Sequence, residues 1–384
     1  MDRAGNRICG GLMRPNDVTI FMCGDVMTGR GIDQILPHPA APRIYEPYMD
    51  SALGYVELAE RAHGPIPGPA GFSYIWGDAF EEFRLAGPDV KIINLETAVT
   101  RSEDYEDKGI NYRMDPANIP CITAAGIDCC ALANNHILDW GVRGLAETIM
   151  TLKNAGLACC GAGGNIGAAA APAVIKTANG GRVLVFSMGS ETSGIPRHWA
   201  ASEDRAGVNL LADLTPGAAR PLKKEIEKQR RQGDIVVASV HWGGNWGFDV
   251  PDAFRQFAYL LIDEAGVDII HGHSSHHPKG IEVHSGKLIL YGCGDFINDY
   301  EGIEGYEHFR PELGLMYFAK TDMASGRLLS LRMTPTLIRR FRVNRAEIND
   351  ALWLTDMITR EGGRFNTRAS LGEDGRLALE WDFE

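Results

Sequence analysis

Five short segments carry residue types able to do acid–base and metal chemistry, and each follows a short apolar run. They are Cys23-Gly24-Asp25-Val26-Met27, Asn94-Leu95-Glu96-Thr97, Ala133-Asn134-Asn135-His136, Val240-His241-Trp242-Gly243 and His271-Gly272-His273-Ser274-Ser275-His276-His277. Asp25 and Glu96 offer carboxylate oxygens, Asn135 a neutral carbonyl oxygen, and His241, His273 and His276 imidazole nitrogens. A hard divalent cation takes such oxygens, and imidazole widens the choice toward zinc, manganese or iron. One such residue after a strand is ordinarily a cap or a satisfied core group. Five in succession point to a shared centre.

The elements that must position them can be read from the apolar runs. Val18–Phe21, Val90–Ile93, Cys129–Leu132, Ile235–Val240 and Val267–Ile270 are β-branched or apolar and bounded by Gly, Asn and Asp, so each is predicted as a buried strand. Helical spacing fills the intervals, most clearly over Gly144–Ala155 and Ala253–Ala265. Strands alternating with helices imply a largely parallel sheet, with ligands gathering beyond the strand carboxyl ends. Pro37–Pro47 and Gly64–Gly71 are Pro/Gly-rich loops, and Arg101–Gly109 is an acidic surface loop. The expected division is an N-terminal extension over 1–17, one domain over 18–340, and a C-terminal helix (Glu347–Glu361) with a polar tail over 341–384, packed on the same domain.

Bulk properties narrow the class. The chain has 384 residues, 45% hydrophobic and 23% charged, enough for a sizeable core. A formal net charge of −12 argues against nucleic acid as a partner. No apolar stretch approaches the ~20 residues that span a bilayer. Met1–Asp17 lacks the apolar core of a secretory signal, so the expected address is the cytoplasm, with no membrane partner. The eight cysteines show neither a disulfide framework nor a Cys-x-x-Cys knuckle and read as reduced, buried thiols. Whether the chain forms a homo-oligomer is left open.

Taken in order from about Val18 to Asp299, the motifs resemble the CapA family, named for poly-γ-glutamate capsule synthesis. They are Gly24-Asp25-Val26-Met27, Asn94-Leu95-Glu96-Thr97, Ala133-Asn134-Asn135-His136 with Asp139 and Gly141, His241-Trp242-Gly243, Gly272-His273-x-x-His276 and Gly294-Asp295-Phe296. The resemblance implies an α/β fold, the calcineurin-like metallophosphoesterase αββα sandwich. Two departures matter. Met27 stands where related dinuclear phosphoesterases have the His of Asp-x-His, and Ser275 stands at the second His of Gly-His-x-His. The expected site is therefore oxygen-rich and holds one divalent ion, with Asp25, Glu96, Asn135, His241 and His273 as ligands. Ca²⁺ is favoured over Mn²⁺ or Mg²⁺, and phosphodiester hydrolysis is demoted.

Within that family the chain resembles the lasso-peptide epimerase of the MslH type. This implies a cytoplasmic, metal-dependent isomerase that inverts the Cα of the C-terminal Trp of a ribosomal precursor peptide through two His/Asp pairs. Inversion needs a base on one face and an acid on the other. The expected proton carriers are His136 and His276, with Asp25 and Asp295 as carboxylate partners and His273 in the same set. Asp139 is a further candidate partner or a turn residue, and His271 a core histidine as readily as a functional one. Arg30 and Arg113 are candidates for a bidentate grip on a terminal carboxylate. Trp242 and Trp246, with Asn245 and Gly243-Gly244 between them, form an aromatic loop whose packing would suit the indole, with Trp242 and Asn245 as the candidate contacts. The alternatives are a CapA-type hydrolase, acting on a phosphoester or a γ-glutamyl chain, and a non-catalytic protein binding an anionic capsule polymer.

Overall fold

The computed structural model describes residues 16–382, so the extension predicted for 1–17 lies, apart from its last two residues, outside the described residues. Two sheets face each other. The first runs in the order Thr367–Leu371, Leu377–Trp381, Leu328–Ile338, Leu313–Asp322, Asp17–Val26, Val90–Leu95, Cys129–Ala131 and Ala158–Cys160, and Asp295–Ile297 also pairs with Asp17–Val26. The second runs Ala173–Lys176, Arg182–Ser190, Asp234–His241, Ile269–His273, Lys287–Leu290 and Ile281–His284.

Alternation along each strand explains the layering. Val18, Ile20 and Met22 share a core between the sheets with Val183, Val185, Ile235, Val237 and Ile269. Their neighbours Phe21 and Cys23 point the other way, into a second core with Ile93, Leu145 and Leu152. On the far side, Val236 and Ala238 pack against Phe257 and Leu261 of the helix Asp252–Asp263. Strands apolar on both faces require cover on both faces, and the result is an αββα sandwich. Each fully buried Phe or Leu here contributes about 1.5–3 kcal/mol, so a charged replacement at Leu261 is the kind of change that would strip the helix from its sheet.

The predicted polar tail proves to be structured. Thr367–Leu371 and Leu377–Trp381 form an antiparallel pair that extends the first sheet. Buried Ala369, Leu377 and Leu379 alternate with more exposed neighbours, a half-buried pattern that the segment's many charged residues had masked. Seven cysteines fall among the described residues, all free, with Cys159 half-buried and the rest buried. Among the described residues no helix is long and apolar enough to cross a membrane.

Candidate functional site

Strand register assembles the site. Asp25 lies abreast of Asn94 on one side and Asp295 on the other. In the second sheet His241 lies abreast of His273, both at the strand carboxyl end. Close approach is needed where these strands deliver their cargo. A Cβ on Gly24 would sit 1.8 Å from the Gly294 carbonyl oxygen, and one on Gly272 2.5 Å from that of Leu290.

The structure brings Asp25, Glu96, Asn135, His241 and His273 together. Asn94 Nδ2 donates to Asp25 Oδ1 (2.7 Å) and to Glu96 Oε2 (3.1 Å). Glu96 Oε1 lies 3.9 Å from His241 Nε2 and from His136 Nε2. Candidate donor atoms of Asp25, His241 and His273 all fall within 4.8 Å of one another, as do those of Asp25, His276 and Asp295. Burial, and then Asp295, pushes the Asp25 carboxyl up to about 7. Burial, and then Asp25, pushes Glu96 well above the usual carboxylate range. Such a concentration of buried acid is costly unless a cation compensates it.

The hydrogen bonds show that a cation fits. His271 Nε2 lies 2.7 Å from the Cys23 carbonyl oxygen, which only accepts, so Nε2 bears the proton. His271 stays neutral, burial holding it at about 4, and its Nδ1 accepts from Ser239 Oγ at 3.2 Å. Ser239, having spent its proton, accepts from His273 Nε2 at 2.8 Å. Burial holds His273 neutral too, so its Nδ1 is a bare lone pair. From the other end, Asn135 Oδ1 at 3.0 Å takes the His241 Nε2 proton, which leaves His241 Nδ1 bare. The two bare nitrogens face each other at 2.8 Å. Two lone pairs at that distance repel, and a positive centre between them removes the conflict. Asp25, His241 and His273 would hold it, with Glu96 and Asn135 adjacent.

Two imidazole–carboxylate dyads border this cluster. His136 Nδ1 lies 2.7 Å from Asp139 Oδ2, and His276 Nδ1 2.9 Å from Asp295 Oδ1. The expected pairing is therefore corrected in part. Asp139, not Asp25, holds His136, because it follows three residues later in the same turn, while Asp25 is spent on Asn94 and the Ser274 amide (3.2 Å). Burial lowers His136 to about 4, Asp139 opposing and Lys108 assisting. For His276 burial also lowers the pKa, but the charge and hydrogen bond of Asp295 outweigh it and the net shift is upward.

The residues expected to grip a substrate mostly look inward. Arg30 forks onto Asp299 (3.1 and 2.5 Å) and donates to Glu46 (2.8 Å) and Tyr55 (2.9 Å), leaving no bidentate face for a ligand. Arg113 is buried over the Trp140 ring at 3.9 Å and donates to the Ser102 and Ala41 carbonyls. Trp242 is buried between Phe254 and Tyr291, its Nε1 donating to the Tyr291 carbonyl (3.0 Å). Asn245 is exposed, and its carbonyl accepts the His276 amide. Trp246, not Trp242, is the indole beside His276, 5.3 Å away and stacked on Tyr306.

Sequence reading missed Lys108, whose Nζ reaches Asp139 Oδ1 (2.7 Å) and the Asn135 carbonyl. It sits among four acids of the loop read as surface, and no local signal sets it apart. It also missed Ser239, which was legible: two residues before His241 on a strand, it shares that residue's face.

Comparison with known proteins gives the family. Residues 19–300 match the family described as bacterial capsule synthesis protein PGA_cap, which has the calcineurin-like fold. A probable polyglutamine synthesis accessory protein of Mycobacterium tuberculosis is 47% identical over 367 residues, 95% of this chain and 96% of that one. The PGA biosynthesis protein CapA of Bacillus subtilis is 28% identical over 94% of this chain and 81% of its own length. The capsule biosynthesis protein CapA of Bacillus anthracis is also 28% identical, over 73% of this chain and 60% of its own. Both the matched span, which takes in all five site segments, and the near full-length identity lead to one conclusion: this chain belongs to the PGA_cap family of bacterial capsule synthesis proteins.

Proposed function

We propose that this chain is a metal-dependent acid–base enzyme acting on an amide-linked glutamyl or glutaminyl chain, and that it inverts a Cα centre. The observation carrying this reading is the pair of unequal dyads at one buried cluster. His136, neutral at pH 7 and fixed through Nδ1 by Asp139, has Nε2 left to take a proton. His276, raised by Asp295 and likewise fixed through Nδ1, has Nε2 left to give one. Base and acid of this kind typically contribute 10²–10⁴-fold each. A bound divalent ion would polarise a substrate carbonyl and so make the neighbouring Cα–H more acidic. The donor set, two imidazole nitrogens beside carboxylates, suits Mn²⁺ or Zn²⁺ better than the Ca²⁺ expected from sequence.

The polymer substrate is taken from the names of the relatives. A lasso-peptide precursor ending in Trp is the narrower form of the same chemistry. It loses support from Arg30, Arg113 and Trp242, which are engaged internally. Hydrolysis of the chain is the second reading, favoured by neutral His136, which would also accept a proton from an attacking water.

The test is incubation of the purified protein with Mn²⁺ and synthetic α- and γ-linked oligoglutamates and oligoglutamines in heavy water. Deuterium entering at Cα with the chain intact supports inversion. Free glutamate without deuterium supports hydrolysis, and neither product, with metal bound, ends both readings.

A further inference from the structure

The two dyads are joined behind the site by a circuit of side chains. The Asp139 carboxylate that holds His136 also accepts the backbone N–H of Tyr112 at 2.6 Å. The Tyr112 ring stands edge-on to His136, centroids 4.5 Å apart at 88°. On the other side Asp295 accepts from Asn298 Nδ2 (2.7 Å), and Asn298 Oδ1 accepts the Tyr300 amide (3.1 Å). The Tyr300 ring stands edge-on to His276, 5.3 Å away at 82°. The circuit closes where the Tyr112 hydroxyl donates to the Tyr300 hydroxyl at 2.9 Å, which in turn faces Met27 Sδ at 3.6 Å. Beneath both phenols lies the Arg30 guanidinium, 4.4 Å from the Tyr112 centroid and 5.6 Å from that of Tyr300.

We propose that the Tyr112–Tyr300 hydroxyl pair, seated on Arg30, is a positioning unit that locks the two histidines into one rigid frame. Each dyad taken alone is a side chain hinged on its own loop, residues 132–140 for His136 and 274–280 for His276. Proton transfer at a single carbon by two groups requires both at a set separation, and an error of about 1 Å can cost about 10²-fold. The edge-on phenols fix each imidazole plane, and the hydroxyl bond ties the planes together. Arg30 holds the phenol faces by cation–π attraction, and its own position is fixed by Asp299 and Glu46. Met27 Sδ gives the Tyr300 hydroxyl an acceptor.

This rests on the reading of His136 and His276 as proton carriers, so the experiment has a readout that needs no turnover. Tyr112→Phe and Tyr300→Phe keep the rings and remove one hydroxyl each. In the full-length, Mn²⁺-free protein with labelled histidines, Tyr112→Phe is expected to move the ring resonances of His276 as well as His136, and Tyr300→Phe those of His136 as well as His276. If each variant moves only the histidine its own ring touches, there is no shared frame. Where wild type turns over an oligoglutamate probe, each variant is expected to lose about tenfold in kcat with KM within about twofold. The double variant should be no worse than either single one, since both remove the same bond. Unchanged kcat in both variants, or losses that multiply, overturns the proposal. An inactive wild type sinks the proposed reaction while leaving the resonance test to decide the frame.

Discussion

His136–Asp139 and His276–Asp295 have the same composition and opposite character. Each ring is buried, and each gives Nδ1 to a carboxylate within 3 Å. The difference lies in what else the carboxylate and ring meet. Asp139 is shared with Lys108, whose ammonium lies 3.4 Å from His136 Nδ1, so burial prevails and the ring stays neutral. Among the described residues the other side-chain partner of Asp295 is the neutral Asn298, and Asp25 adds a further negative charge near His276, so the ring is biased toward imidazolium. A dyad is therefore not a functional unit by itself. The next charge outward decides whether it is a base or an acid.

The largest expected effect breaks the comparison outright. His136→Gln and His276→Gln should each lower Cα exchange by about 10³-fold, since each removes one of the two proton carriers. The difference between them should appear in direction. If His136 is the base toward one enantiomer, its loss abolishes exchange from that enantiomer more severely than from the other, and His276→Gln shows the reverse bias. Chiral analysis of probe labelled at early times reads this. Equal losses from both enantiomers in both variants would mean that the dyads are not specialised.

How much of this was legible depends on the distance over which a residue finds its partner. The strand ends were readable because an apolar run and the polar residue after it are adjacent in the chain. Asp25, Glu96, Asn135, His241 and His273 were picked out that way, and the fold brings them to one place. Arg30 was misjudged because its charge is satisfied by Glu46, 16 residues away, and Asp299, 269 residues away. No local pattern distinguishes such an arginine from one waiting for a ligand. Trp242 failed similarly: a tryptophan after a catalytic-type histidine looks like a docking ring until strand register turns it into the core with Phe254 and Tyr291. Asp139 was a nearer miss. Its three-residue spacing from His136 was visible, but sequence gave no means of choosing between it and Asp25.

A second prediction uses stability, where the two histidines should pull in opposite directions. His136 titrates at about 4 in the fold and at about 6.5 when unfolded, so the unfolded chain binds the extra proton as pH falls through that window. Its contribution is thus lost on acidification, by at most about 3 kcal/mol at pH 4. His276 is raised in the fold, so its contribution is present below the unfolded pKa and is lost as pH rises through the folded one. His136→Gln should therefore flatten the fall in unfolding midpoint between pH 6.5 and 4. His276→Gln should leave that fall intact and flatten the fall on the alkaline side of about 6.5. Identical midpoint-against-pH curves for the two variants would contradict the assigned directions. His271 and His277, also buried and held at about 4, add to the acid limb in every variant, so the comparison must be made between variants rather than against a flat line.

The smallest effect isolates the charge that makes the dyads differ. Lys108→Met removes an ammonium that touches Asp139 and the Asn135 carbonyl and lies 5.1 Å over the Trp199 ring. The methionine stem can keep the packing against Trp199 while removing the positive charge that competes with His136 for Asp139. The imidazole should then protonate more easily, its pKa rising from about 4 toward the ordinary value. Because the base must be neutral, the acid limb of the pH–rate profile moves up. Exchange at pH 6 should fall by up to about fourfold, while at pH 8 it stays within about twofold of wild type. Lys108→Arg retains the positive charge and should keep the wild-type limb even where its bulk lowers the plateau. An acid limb unmoved in Lys108→Met would mean that Lys108 only props the Arg101–Gly109 loop, and the contrast between the dyads would then have to come from burial and Asp25 alone.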